Sequence, residues 1–138
     1  VLGPGGRLSC AVFGDPRRNP WAELPSRVLE ERGVVPPAQS GSPGSFALAD
    51  RDRLESLLAD GDFDAVEIDE VAFDWIFADA DDYWAFLNDA AGAIAMVLAR
   101  LDEDERARIR ADISERLAAF RDAEAIVLPA VSLVVSAS

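Results

Sequence analysis

Whatever chemistry this sequence holds rests on its carboxylates and its aromatic rings. Asp79, Asp81 and Asp82 cluster, as do Asp60, Asp62 and Asp64. Paired carboxylates can do acid/base work at a glycosidic bond, and a cluster of them can hold a hard cation. The first set reads better as a complement to a helix N-terminus and the second as a solvated turn, and neither has the spacing of a calcium loop. The aromatic set is Trp21, Phe73, Trp75, Phe77, Tyr83, Trp84 and Phe86. Core packing is the default for each ring. The competing reading is a wall or lid for a small apolar or aromatic molecule, because such sites are concave, aromatic and sparing of polar groups. On that reading Trp21, Trp75, Tyr83 and Trp84 are the expected walls. Asp15 and Asn19 are the expected orienting groups, with Arg17 and Arg18 beside them. No catalytic, cofactor-binding or metal-ligating residue is expected.

Missing residue types narrow the chemistry further. The chain has 138 residues, no His, and 13 basic residues that are all Arg. Without His there is no Ser-His-Asp or Cys-His machinery and no His-based zinc site. Without Lys there is no Schiff base and no phosphate-loop lysine. The formal net charge of −13 argues against nucleic-acid backbones and anionic membranes as partners. Cys10, the single cysteine, excludes an intramolecular disulfide and reads as a small buried hydrophobe. The longest apolar run, Ala90 to Ala99, is about half of the ~20 residues that a membrane span needs, and no apolar leader is visible near Val1. The expectation is one cytoplasmic domain, and the Arg-only, Ala-rich usage suggests a GC-rich bacterial genome.

The elements that must position these residues follow from periodicity and punctuation. Gly3-Pro4-Gly5-Gly6 is a turn; it precedes a strand, whereas a nucleotide loop follows one. Arg7 to Phe13 reads as a buried strand, stopped by Gly14-Asp15-Pro16. Trp21 to Arg32 reads as a helix with Leu24, Val28 and Leu29 on one face and Gly33 at its end. Val34 to Ser45 is a loop, and Asp50 caps a helix striped by Leu54, Leu57 and Leu58. Phe63 to Phe77 is strand-like, but its apolar phase moves from Val66 and Ile68 to Val71, Phe73, Trp75 and Phe77. That shift predicts a bulge or break around Asp69-Glu70. Asp79 caps a long helix to about Arg100, and Asp102 caps another to about Arg121, with Arg108-Asp112 and Asp112-Arg116 pairs on its outer side. Ile126 to Val135 closes the chain as a strand whose well-paired part begins at Val131, because Pro129 cannot donate to a ladder. The order predicts an α/β layered sheet of three strands, whose first strand has one apolar edge uncovered.

Several of these segments, taken in order, resemble class I S-adenosylmethionine-dependent methyltransferases. Val1-Leu-Gly-Pro-Gly-Gly-Arg-Leu8 is similar to the family's Leu-Lys-Pro-Gly-Gly turn into its fifth strand, with Gly3 where Lys is common. Asn19-Pro20-Trp21, Phe46-Ala47-Leu48, Gly61-Asp62-Phe63 with Val66-Glu67, Asp82-Tyr83-Trp84 and the final Ile126-Val-Leu-Pro continue the likeness, which covers all 138 residues. The branch it resembles is the ubiquinone/menaquinone-biosynthesis-like one. The resemblance implies a partial Rossmann-like sheet. Residues 7–13, 65–76 and 131–136 would be the last three strands, the final one inserted antiparallel between the other two, with flanking helices on the substrate side. It also implies that the cofactor-binding N-terminal half lies upstream of Val1. The chain alone would then neither bind S-adenosylmethionine tightly nor methylate anything. The other reading open at this point is a non-catalytic module that homodimerises through the exposed first strand.

Overall fold

A computed structural model describes residues 3, 5–37, 43–61, 63 and 65–138. Asp62 and Asp64 of the second acidic cluster, Pro4 of the first turn and the middle of the 34–45 loop lie outside the described residues. The chain is mixed α/β, and it divides into two compact units. One comprises residues 1–19, 38–73 and 130–138; the other comprises 20–37 and 74–129.

The first unit is built on β1 (Leu8–Phe13), α2 (Arg51–Ala59), and parts of the two strands that run through both units, β2 (Val66–Phe77) and β4 (Ala125–Ala137). The strand order is β1-β4-β2, so the last strand lies in the middle. β4 is antiparallel to β1, with Leu8 opposite Ala137 and Phe13 opposite Ser132. At the β2 side Ala65 and Ser138 exchange both backbone hydrogen bonds, the signature of an antiparallel pair. Because side chains alternate across a strand, Leu133, Val135 and Ala137 share one face and pack with Ile68 against Leu54 and Leu58 of α2. Leu8, Cys10 and Val12 of β1 lie half-buried against the same cluster. The cap on α2 is the expected one: the Asp50 carboxylate accepts from the Arg53 N–H at 3.0 Å. Leu57, however, is exposed, so the buried stripe is narrower than the sequence pattern suggests. The first turn is closed by a bond from the Gly6 N–H to the Gly3 carbonyl. Gly14 follows β1 and passes so close to β4 that a Cβ there would lie 3.0 Å from Val131 Cγ1.

The second unit holds α1 (Pro20–Glu31), α3 (Ala80–Asp89), α4 (Ala93–Leu98), α5 (Glu103–Leu117) and the two-residue β3 (Arg121–Asp122). α5 packs on α1 and α3, and α3 packs on α4. Val28 and Leu29 of α1, Leu87 of α3, Leu98 of α4 and Ile109, Ile113 and Leu117 of α5 are buried. The Asp79 carboxylate accepts from the Asp81 and Asp82 N–H groups, and the Asp102 carboxylate accepts from the Glu105 N–H, so both predicted N-caps are in place. Asp82 in turn accepts from the Ala78 N–H and Asp81 pairs with Arg110. The acidic cluster at 79–82 is therefore consumed by its own helix start and by α5.

Four expectations about the elements need correction. The helix from Asp79 to Arg100 is two helices, because Gly92 takes a φ of +49° that helical residues do not adopt. β2 runs through Asp69-Glu70 without the break; the expected change of burial phase is present, between Ile68 and Phe77, over a stretch exposed on both faces. β4 is likewise continuous through Pro129, which falls between the stretch paired with β3 and the stretch paired with β1, where no N–H is asked of it on that side. The short β3 makes the sheet four-stranded rather than three-stranded, opposing Arg121 to Ile126.

Candidate functional site

The two polar groups expected to orient a ligand both lie in the first unit, at the end of β1. Asp15 caps a 3-10 turn, Pro16–Arg18, by accepting from the Arg17 N–H at 2.9 Å. The same carboxylate takes the Arg17 side chain at 2.6 Å, and these hydrogen bonds hold its pKa below the ordinary carboxylate range. Arg18 reaches Glu70 at 2.7 Å. Asn19 is fully buried. Its Nδ2 donates to the Asp15 and Val131 carbonyls at 3.0 and 3.1 Å, and its Oδ1 accepts from the Val131 N–H at 3.1 Å. A buried amide surrounded by backbone in this way is a clamp between the end of β1 and β4. The structure therefore shows Asn19 fastening the end of β1 to β4.

Trp21, Trp75 and Tyr83 are brought together in the second unit. Trp21 and Trp75 have ring centroids 5.7 Å apart, and Phe86 lies 6.0 Å from Trp21 and 5.3 Å from Trp75. Phe77 meets Tyr83 edge-on at 5.1 Å. These are the separations of an interlocked aromatic cluster, worth more than its buried area alone. Trp21 is 6% exposed and Tyr83 is 0% exposed, so these two rings are enclosed in packing, while Trp75 and Phe86 keep some surface. The Tyr83 hydroxyl donates to the Trp21 carbonyl at 2.6 Å, tying α3 to α1. Burial makes the phenolate form costly and pushes the Tyr83 pKa well above its ordinary value of 10.0.

Trp84, one residue further along α3, turns about 100° away from Tyr83 and meets α5 instead. The guanidinium carbons of Arg106 and Arg110 lie 5.8 and 5.9 Å from its ring centroid, within cation–π range. Arg110 donates to Asp81 Oδ1 at 2.8 Å, and Arg106 donates to Asn88 Oδ1. Asp81, Trp84 and Asn88 share one face of α3, so each guanidinium is held from the turn on either side of the tryptophan. Beside them opens a groove of about 480 Å³ floored by Ala107 and Ala111. Neither arginine was singled out by the sequence reading. The signal lay in their spacing, four apart and next to alanines at the same period, on a helix facing an aromatic residue.

The remaining charges of α5 also find partners across helices. Asp112 pairs with Arg32 at 2.6 Å and Arg116 pairs with Glu31, and Asp112 and Arg116 also attract each other along α5 as the spacing suggested. Among the described residues, no three His, Cys, Asp or Glu side chains are grouped to hold a metal ion. Among the same residues, no helix is long and apolar enough to cross a membrane. Compared with known proteins, the chain matches no protein-family model and no curated protein.

Proposed function

We propose that the chain is the C-terminal, substrate-side half of a class I S-adenosylmethionine-dependent methyltransferase, acting on a small apolar or aromatic molecule in the cytoplasm. The observation that supports this reading best is the strand order β1-β4-β2, with the last strand central and antiparallel to the first. Sequential strands usually lie side by side, so a final strand inserted between earlier ones is an informative topology. The order of soft motifs supports the same branch. Methyl transfer asks chiefly for alignment of acceptor and methyl group and for exclusion of water, a task that aromatic surfaces can meet without His or Lys.

The described residues do not fit the cofactor by themselves. The turn after β1 closes as a 3-10 turn around Asp15 and Arg17, and the Asn19 amide is given over to backbone. Among the described residues no glycine-rich loop joins a strand to a helix. On this reading the cofactor half is supplied by a segment preceding Val1, and the chain is inactive alone. The intact mass and N-terminal sequence of the natural protein test this. The proposal expects a mass well above 14.8 kDa, with a glycine-rich strand–helix segment before Val1. A natural protein that starts at Val1 would overturn it.

A second reading has one observation in its favour. β1 is the end strand of its sheet, and among the described residues it pairs with β4 alone. A module that homodimerises through that edge would cover it.

A further inference from the structure

We infer that the groove between Trp84 and α5 binds a planar aromatic monoanion, with Arg106 holding the acid group and Trp84 the ring. Charge accounting along the chain leads to this site. Eleven of the described arginines are exposed, while Arg106 and Arg116 are half-buried. Arg116 is neutralised by Glu31. Among the described residues Arg106 makes no ion pair; its partners there are the neutral Asn88 amide and the Trp84 ring. A partly desolvated guanidinium held by neutral groups keeps its full charge available, and an incoming carboxylate would meet it in a fixed position.

The surroundings specify the rest of the ligand. Arg110, on the next turn of α5, is already paired with Asp81, which leaves Arg106 as the one guanidinium of the groove lining without a carboxylate partner among the described residues. That favours a single acid group. Ala107 and Ala111 leave room over the helix, and Trp84 supplies a flat wall beside it. A volume of about 480 Å³ suits a molecule of one or two fused rings. Ser114 offers a hydroxyl at the far end of the groove. Glu103 lies one turn before Arg106, also lines the groove and makes no ion pair with it. Its charge opposes the ligand and limits the affinity.

The inference rests on the proposed function only in calling this ligand the methyl acceptor. Binding is measured without cofactor, so failure of the methyltransferase reading would leave this result standing. The test is an NMR titration of the 138-residue chain with 2-naphthoate, and with 2-naphthamide as its neutral counterpart, following the three tryptophan indole signals. Trp84→Phe assigns the reporting signal. Naphthoate is expected to shift the Trp84 indole and to bind about tenfold or more tightly than the amide, the usual scale for one charge-assisted contact. Arg106→Gln is expected to abolish that preference, Arg108→Gln on the exposed side of α5 to leave it unchanged, and Glu103→Gln to tighten naphthoate. Equal binding of acid and amide, a response confined to the other two indoles, or no saturable shift would overturn the inference. Should Arg106→Gln fail to fold, the acid–amide comparison on the unaltered chain and the Glu103→Gln titration decide it.

Discussion

The two units reach stability by different chemistry. In the first, an aliphatic face of alternating strand residues, Leu133, Val135 and Ala137 with Ile68, is covered by a single short helix. In the second, aromatic rings from β2, α1 and α3 interlock beside two further helices, α4 and α5. Each unit nevertheless depends on one buried polar side chain bonded to backbone: Asn19 to Val131 in one, Tyr83 to Trp21 in the other. The comparison teaches that an alternating aliphatic face and an interlocked aromatic cluster alike take a directional bond to fix the neighbouring element. Polar groups that look like ligand contacts in a sequence can be the fasteners of the fold.

That contrast can be broken from either side. Tyr83→Ala should be the most damaging change, removing a fully buried ring and costing about 3–5 kcal/mol in urea unfolding. Tyr83→Phe keeps the ring and removes the hydroxyl that donates to the Trp21 carbonyl, for about 1–3 kcal/mol. Asn19→Ala should cost a similar amount, about 2–3 kcal/mol, because both backbone groups of Val131 lose a buried partner. A cost below about 0.5 kcal/mol for either polar deletion would show that the fastener account is wrong for that unit.

Alkaline titration sharpens the same point. The folded-state pKa of Tyr83 is raised, so above its ordinary value of 10.0 the unfolded chain releases a proton that the folded chain keeps. Stability must then fall as pH rises through that value, by up to about 1.4 kcal/mol per pH unit. The chain has one Tyr and no Lys, so this slope belongs to Tyr83, and Tyr83→Phe should remove it. The smallest effect is expected at the helix surface. Hydrogen bonds from Arg116 and Arg32 hold the Glu31 and Asp112 carboxyls below their ordinary range. Their contribution is present above pH about 4.5 and is lost as acid protonates them. Exposed pairs of this kind are worth little, so Glu31→Gln should move a neutral-pH unfolding curve less than any change above.

How much of this was legible depended on the range of the interaction. Local signals read well: Asp50, Asp79 and Asp102 as N-caps, Leu24, Val28 and Leu29 as a buried face, and β1 and β4 as strands, because each rests on residues within one or two turns. The sequence reading also brought Trp21, Trp75 and Tyr83 together, but it placed Trp84 with them, whereas Trp84 faces α5. The reading could not tell a wall from a core, since that depends on Phe77 and Phe86 filling the space between them. The fastening role of Asn19 was not legible because its partner Val131 lies 112 residues away. Arg106 and Arg110 carried no local signal of their ring contact, since only the approach of α3 gives them an aromatic neighbour. The unbroken run of β2 through Asp69-Glu70 was hidden for the related reason that a phase change in apolar residues does not require a break in the backbone.

The central functional claim is that these residues form the substrate side of a methyltransferase whose cofactor is held elsewhere in the polypeptide. Calorimetric titration with S-adenosylmethionine tests it most directly, on the 138-residue chain and on the same chain extended upstream of Val1 in its reading frame. The account predicts no saturable heat from the chain alone, and one-to-one binding with transfer of labelled methyl to an aromatic acceptor from the extended polypeptide. Binding by the chain alone, or an extended polypeptide that neither binds nor transfers, would contradict it.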